Sequence, residues 1–296
     1  MSLINVVKFV ISHPLNRDHK FRSIVRLAKW QIGSRLVPGE VVYHWVNGSK
    51  FLVRTGETGL TGNIYVGLHE FSDMGFLLHF LRRDDLFVDV GANVGSYTIL
   101  ACAAVGSRGV VFEPVPATYE RLVENLRLNH LDERVRSINK GVAARQGTIS
   151  FSSDEDTMNH VLAPGERPKR AVTVEVTSLD AALSEDTPAL IKIDVEGYET
   201  PVLEGSQETL RKPTLHAVIM ELNGSGYRYG FDESKILQMM LDHGFQACSY
   251  DPLRRDLLNL ESKNLSSGNT LFVRNTPLVA KRLRSSPKVS VLDLQF

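Results

Sequence analysis

Three observations predict an α/β fold built on a doubly wound, mostly parallel sheet. From Leu86 onward, short β-branched runs alternate with helical patterns, as βαβ units do. The first run, Leu86-Phe87-Val88-Asp89-Val90, passes through a glycine-bearing turn into a helical pattern. The second run ends in an acid, Glu113, 24 positions after Asp89.

Composition narrows the function classes. Of 296 residues, 34 are Lys or Arg and 34 Asp or Glu, giving zero formal net charge with 43% hydrophobic residues. That balance argues against a partner such as bulk nucleic acid, which is bound through excess Lys and Arg. The length allows one large domain, or a domain with an appended segment. Cys102 and Cys248 lie far apart in apolar stretches and form no CxxC pair, which suits a reducing compartment. No apolar stretch approaches the roughly 20 residues of a membrane span. Met1 to Ile11 is interrupted by Lys8 and followed by His13-Pro14, so it is read as retained, not as a signal peptide. A cytoplasmic protein is expected.

Residues 1–82 are predicted to form an N-terminal extension. Between Lys8 and Arg35 there are seven Lys or Arg and one acid, Asp18, while Phe21, Ile24, Val25, Ala28, Ile32 and Leu36 recur at helical spacing. This predicts a basic amphipathic helix. Its stripe fits packing on the domain, and the rival reading is peripheral contact of residues 8–35 with an anionic membrane. Two β-prone runs, 41–46 and 49–53, flank Asn47-Gly48, a type I′ hairpin signal. A glycine-rich connection through Gly56, Gly59 and Gly62 leads to a helix from about Glu70 to Leu81.

Residues 83–276 carry the alternation. Predicted strands are Leu86–Val90, Gly109–Phe112, Val135–Ile138, Ala189–Ile193, Ala217–Glu221, Phe245–Tyr250 and Thr270–Val273; predicted helices are Tyr97–Ala104, Ala117–Asn129, Tyr198–Leu210 and Glu233–His243. The last two strands are joined by a loop too short for a crossover helix, so antiparallel pairing is expected. Near residues 147–177 a strand pair, Thr148–Phe151 with Val172–Val176, brackets a polar insertion at the sheet edge or over the site. Residues 277–296 are read as a C-terminal tail.

The turn Asp89-Val90-Gly91-Ala92-Asn93-Val94-Gly95 lies at a strand's C-terminal edge, where ligands bind in such sheets. In dinucleotide folds the middle glycine of GxGxxG admits a pyrophosphate, but Asn93 occupies that place. Asn tolerates the left-handed turn, and Gly91 and Gly95 leave room for a ligand without phosphates. Asp89 suits an amino group and Glu113 a ribose. Two carboxylates without a phosphate-binding lysine fit a positively charged nucleoside.

Val88-Asp89-Val90-Gly91-Ala92-Asn93-Val94-Gly95, Glu113-Pro114 and Ile191-Lys192-Ile193-Asp194-Val195-Glu196-Gly197-Tyr198-Glu199 together resemble the FkbM family of S-adenosylmethionine-dependent methyltransferases. The resemblance covers about Leu86 to Arg274, and Gly62-Asn63-Ile64-Tyr65 and Gly67-Leu68-His69-Glu70-Phe71 are similar to family members with such an extension. It implies a seven-stranded Rossmann-like sheet with an antiparallel last strand. It also implies S-adenosylmethionine as cofactor and O-methylation of a small-molecule, sugar or glycolipid hydroxyl.

Asp194 and Glu196, at the fourth strand's C-terminal end, are the leading candidates for acceptor-side chemistry, because an alcohol needs a base as its oxygen is methylated. Helix capping is the bland alternative. His69 and His160 are further candidate bases, since imidazole titrates near neutrality. No third ligand joins Asp194 and Glu196 in the sequence, so no metal is assigned. The absence of an N/D-P-P-Y/F/W turn and of Pro-Cys disfavours methylation of nucleic-acid bases. A catalytically inactive cofactor-binding scaffold and an NAD-dependent oxidoreductase are the alternatives; Asn93 counts against the second.

Overall fold

The computed structural model describes residues 3–37, 39–54, 60–152, 159–163 and 165–296. Gly56 and Gly59 of the expected glycine-rich connection lie outside the described residues.

The central sheet comprises β1 (Leu86–Val90), β2 (Arg108–Phe112), β3 (Val135–Ile138), β4 (Pro188–Ile193), β5 (Ala217–Glu221), β6 (Gln246–Asp251), β7 (Asp256–Asn259) and β8 (Asn269–Val273). Their order across the sheet is β7-β6-β8-β5-β4-β1-β2-β3. From β5 to β3 all pairs are parallel, whereas β8 runs antiparallel between β5 and β6. The antiparallel last strand thus matches expectation. The expected seven strands become eight, because the chain after β6 turns back at Arg255, whose φ is 58°, and pairs as β7 where only a loop was read.

Every residue of β1 and β4 is buried, which explains why these strands are apolar but for Asp89 and Lys192: a parallel sheet is covered on both faces. Phe87, Val111, Leu190, Ile219 and Leu271 pack on one side, while Val88, Val110, Ile191, Val218 and Phe272 face the other. The first face is covered partly by the helix Phe71–Phe80, close to the predicted span.

The single basic helix expected over Lys8–Arg35 is two: α1 (Leu3–Ser12) and α2 (Lys20–Leu36). Pro14 breaks it, because proline has no N–H to donate and disfavours helical geometry at His13. The corner is tied down by Asn16 Nδ2 donating to Val10 O (2.8 Å) and Arg26 Nη2 donating to Tyr65 O (2.8 Å). The predicted hairpin pairs Glu40–His44 with Lys50–Arg54, and Asn47 (φ 51°) and Gly48 (φ 81°) take the positive angles of a type I′ turn. A short helix, Thr61–Val66, follows where only a connection was expected.

The helix predicted over Tyr97–Ala104 begins at Ser96 and continues as π-type turns from Leu100 to Val105. The one predicted over Tyr198–Leu210 divides into Glu199–Glu204 and Gln207–Arg211 beside Gly205, where a Cβ would come 2.3 Å from Ala143 O. In the insertion, Gly147–Ser152 pairs antiparallel with Ala171–Thr177. Residues 277–296 are not a loose tail. They complete the helix Thr276–Ser285 and a small hairpin, burying Val279, Leu283, Val291 and Phe296 in the core beneath Phe71–Phe80, with Arg282 bonded to Asp85 at 2.7 Å.

Candidate active site

The C-terminal ends of β1, β2 and β4 open into a cavity of about 690 Å³. On one wall is the turn after β1, where Gly91, Asn93 and Gly95 all have positive φ. Gly91 has no alternative, since a Cβ there would lie 1.9 Å from Asp194 O. Asn93 steadies the turn by accepting from Val94 N through Oδ1 at 2.7 Å. Asp89, buried, accepts from Thr98 Oγ1 at 2.6 Å. Glu113 accepts from Asn93 N and Val115 N, each at 3.0 Å and one on each carboxylate oxygen. Burial lifts Asp89 to about 6 and Glu113 to about 7, against the pull of their hydrogen bonds and, for Asp89, of Lys192. All five expected cofactor-side residues line this cavity except Gly95, which caps the following helix behind it.

Next to Asp89 on the neighbouring strand β4 is a buried ammonium. Lys192 Nζ donates to Asp194 Oδ2 at 2.6 Å and stands 4.6 Å over the Tyr97 ring. Burial would lower its pKa, but Asp194, Glu70 and Asp89 together raise it. Tyr97 donates to Glu70 Oε2 at 2.7 Å, and Asn269 Nδ2 donates to Glu70 Oε1 at 2.6 Å. Glu70, Tyr97 and Lys192 are site residues that sequence reasoning passed over. Lys192 and Glu70 were both legible as members of runs that carry the family resemblance, Lys192-Ile193-Asp194 and His69-Glu70-Phe71, but neither run gave them a role.

Asp194 and Glu196 both line the cavity, and neither caps a helix by side-chain hydrogen bond. Glu199 instead ties down the turn before its own helix, accepting from Gly197 N (3.1 Å) and Val195 N (3.3 Å). Glu196 sits at φ 53° on the tight turn, with its pKa raised to about 7 by burial and by Asp194. Glu221, from the end of β5, brings a third carboxylate: ligand atoms of Asp194, Glu196 and Glu221 lie within 4.8 Å of one another. Burial and these neighbours push Glu221 up to about 9. The trio has the donor chemistry for a divalent ion, yet Asp194 already holds the Lys192 ammonium, which supplies positive charge at that point.

The two candidate histidines part company. His69 lines the cavity, packed on Phe9 at 5.1 Å between ring centroids. His160 is buried in the insertion, 2.7 Å from Glu166 Oε1, and does not line the cavity, although its neighbour Asn159 does.

The strand order, the turn after β1 and the acid ending β2 define a Rossmann-like methyltransferase fold. Residues 89–247 match the family described as the Methyltransferase FkbM domain, and the chain belongs to that family. It is 30% identical over 153 residues to the hexuronic acid methyltransferase AglP of Haloferax volcanii; the match covers 50% of this chain and 59%, less than two thirds, of that protein. It is 26% identical over 209 residues to the methyltransferase sdnD of Sordaria araneosa, covering 59% of this chain and 79% of that one. Among solved structures, precorrin-6Y C5,15-methyltransferase of Geobacter metallireducens aligns over 67% of this chain and 83% of its own, at 14% identity and a TM-score of 0.37.

Proposed function

We propose that the protein is an S-adenosylmethionine-dependent O-methyltransferase acting on a hydroxyl of a sugar or similar small polyhydroxylated acceptor. The carrying observation is Glu113. Each of its oxygens accepts one backbone N–H at the cavity wall, leaving further lone pairs free for two ribose hydroxyls. Gly91, whose Cβ would strike Asp194 O, lets the turn after β1 pack against the end of β4 at the cavity, and Asp89 adds negative charge suited to a cationic ligand. When bound, the donor supplies a methyl group on a sulfonium.

On the acceptor side, Glu196 is the base. Its raised pKa places it near the working pH, where general bases act best. Asp194, held by Lys192, orients the acceptor hydroxyl so that its oxygen lies in line with the methyl carbon. With the donor bound, transfer of its methyl group to that oxygen would release the hydroxyl proton to Glu196. The name of the Haloferax relative, a hexuronic acid methyltransferase, supports a sugar acceptor.

The test is transfer of label from methyl-labelled donor to a panel of neutral glycosides, glycuronides and simple alcohols, with the product located by mass spectrometry. A methyl ether on a sugar is expected. Label appearing only on nitrogen, or on no hydroxyl-bearing compound while product homocysteine conjugate accumulates, would sink the proposal.

A further inference from the structure

The face that α2 buries carries Ser23, Leu27, Trp30 and Ser34, and a second apolar set, Phe21 (81% exposed), Ile32 (61%) and Leu36 (76%), stands in solvent with Ala28 between them. Positions 21, 28, 32 and 36 share one side of a helix, so this is a continuous apolar stripe facing away from the protein. Docking through Leu27 and Trp30 leaves this second stripe without a partner in the domain, whereas a helix whose only role was to dock would carry polar residues there. Exposed Lys20 and Arg35 flank one edge of the stripe and Lys29 the other. Arg22, beside Lys29, is paired with Asp293 at 2.9 Å. Next to Phe21 the surface opens into a groove of about 620 Å³, walled by Val25, Lys29, Trp30, Tyr43 and Ile64.

We infer that this face of α2 rests on an anionic lipid bilayer, with Phe21, Ile32 and Leu36 in the acyl boundary and the flanking cations at the headgroups. An apolar stripe edged by Lys and Arg is the pattern of a helix lying in the interface plane. Charge decides between this surface and a second copy of the chain: two-fold pairing of α2 with itself would set cations against cations, whereas anionic headgroups neutralise them. None of the described helices is long and apolar enough to cross a membrane, so the contact is peripheral. It does not depend on the identity of the methyl acceptor.

The test is sedimentation of the full chain with phosphatidylcholine vesicles, and with the same vesicles containing about one third phosphatidylserine. Binding is expected to the anionic vesicles only, and to weaken with added salt. Lys20→Gln/Lys29→Gln/Arg35→Gln should weaken it on the order of a hundredfold. Phe21→Ser/Ile32→Ser should weaken it at least tenfold, about the worth of one to two CH₂ groups taken from water. All five positions are exposed, so unchanged melting should confirm that both variants fold. Equal sedimentation on both vesicle types, none on either, or anionic binding untouched by Phe21→Ser/Ile32→Ser would overturn the inference. So would self-association in ultracentrifugation that Phe21→Ser abolishes without any vesicle binding.

Discussion

Lys192 and Asp194 lie two residues apart where β4 leaves the sheet, with Nζ and Oδ2 2.6 Å from each other inside a cavity otherwise rich in carboxylates. Glu70, Asp89 and Asp194 all act on that one ammonium. It is the positive charge that lets them share a wall.

Removing it should therefore cost far more than one hydrogen bond. Lys192→Met is expected to lower stability by about 3–5 kcal/mol, the usual penalty for stripping one partner from a buried ion pair. Urea unfolding measures this. The double variant Lys192→Met/Asp194→Asn should recover part of the loss, because it also removes the stranded carboxylate; a double variant less stable than the single would mean that Asp194 is not the principal partner.

Glu113→Ala is expected to raise the dissociation constant of S-adenosylhomocysteine by about tenfold to a hundredfold, from the loss of charge-assisted hydrogen bonds to ribose. Calorimetry reads it directly. In wild-type protein, S-adenosylhomocysteine at about 100 times its dissociation constant should stabilise by about 2.7 kcal/mol in a melting assay, and NAD should not. An equal response to NAD would return the site to the dinucleotide binders.

With Glu196 as base, kcat/KM should climb with pH and level off above about 7, the value to which burial lifts this carboxyl. Glu196→Gln should cut turnover about 10²–10⁴-fold and erase that acid limb, with donor affinity little changed. If the limb survives the substitution, the proton goes elsewhere, and His69 is the next residue to replace.

The unliganded protein should lose stability as pH rises. Burial holds Asp89 at about 6, Asp73, Glu113 and Glu199 at about 7, and Glu221 at about 9, all above the carboxylate range of an unfolded chain. Between about pH 5 and 8 the folded state keeps protons that the unfolded chain has released, so the unfolding free energy falls across that window. Melting temperature measured from pH 5 to 8 should decline, and Glu221→Gln should flatten the decline by a few degrees, at about 2–4 °C per kcal/mol. A rising curve would refute the sign.

What the sequence disclosed was local. Val88 to Gly95 reads as strand, turn and helix because the strand is buried on both faces and its turn needs positive φ, both properties of consecutive residues. Glu113 followed from spacing. The roles of Glu70, Glu221 and Asn269 could not be read, since Glu221 meets Asp194, and Asn269 meets Glu70, only once the fold brings distant strands and the helix Phe71–Phe80 together. The helix Thr276–Ser285 did carry a start signal, Pro277 in its first turn, that was passed over for a tail. On α2 hydropathy marked the apolar positions but not which of them pack: the domain took Leu27 and Trp30 with Ser23 and Ser34, and left Phe21, Ile32 and Leu36 outside.

The segment that marks the family, 89–247, is a cup with a missing side. His69 and Glu70 close it from upstream, and Asn269, bonded to Glu70, braces that closure from downstream. Positions 69, 70 and 269 thus lie outside the stretch by which the family is recognised, so two chains can share the turn after β1 and the acid ending β2 and still differ in the wall that shuts the cavity.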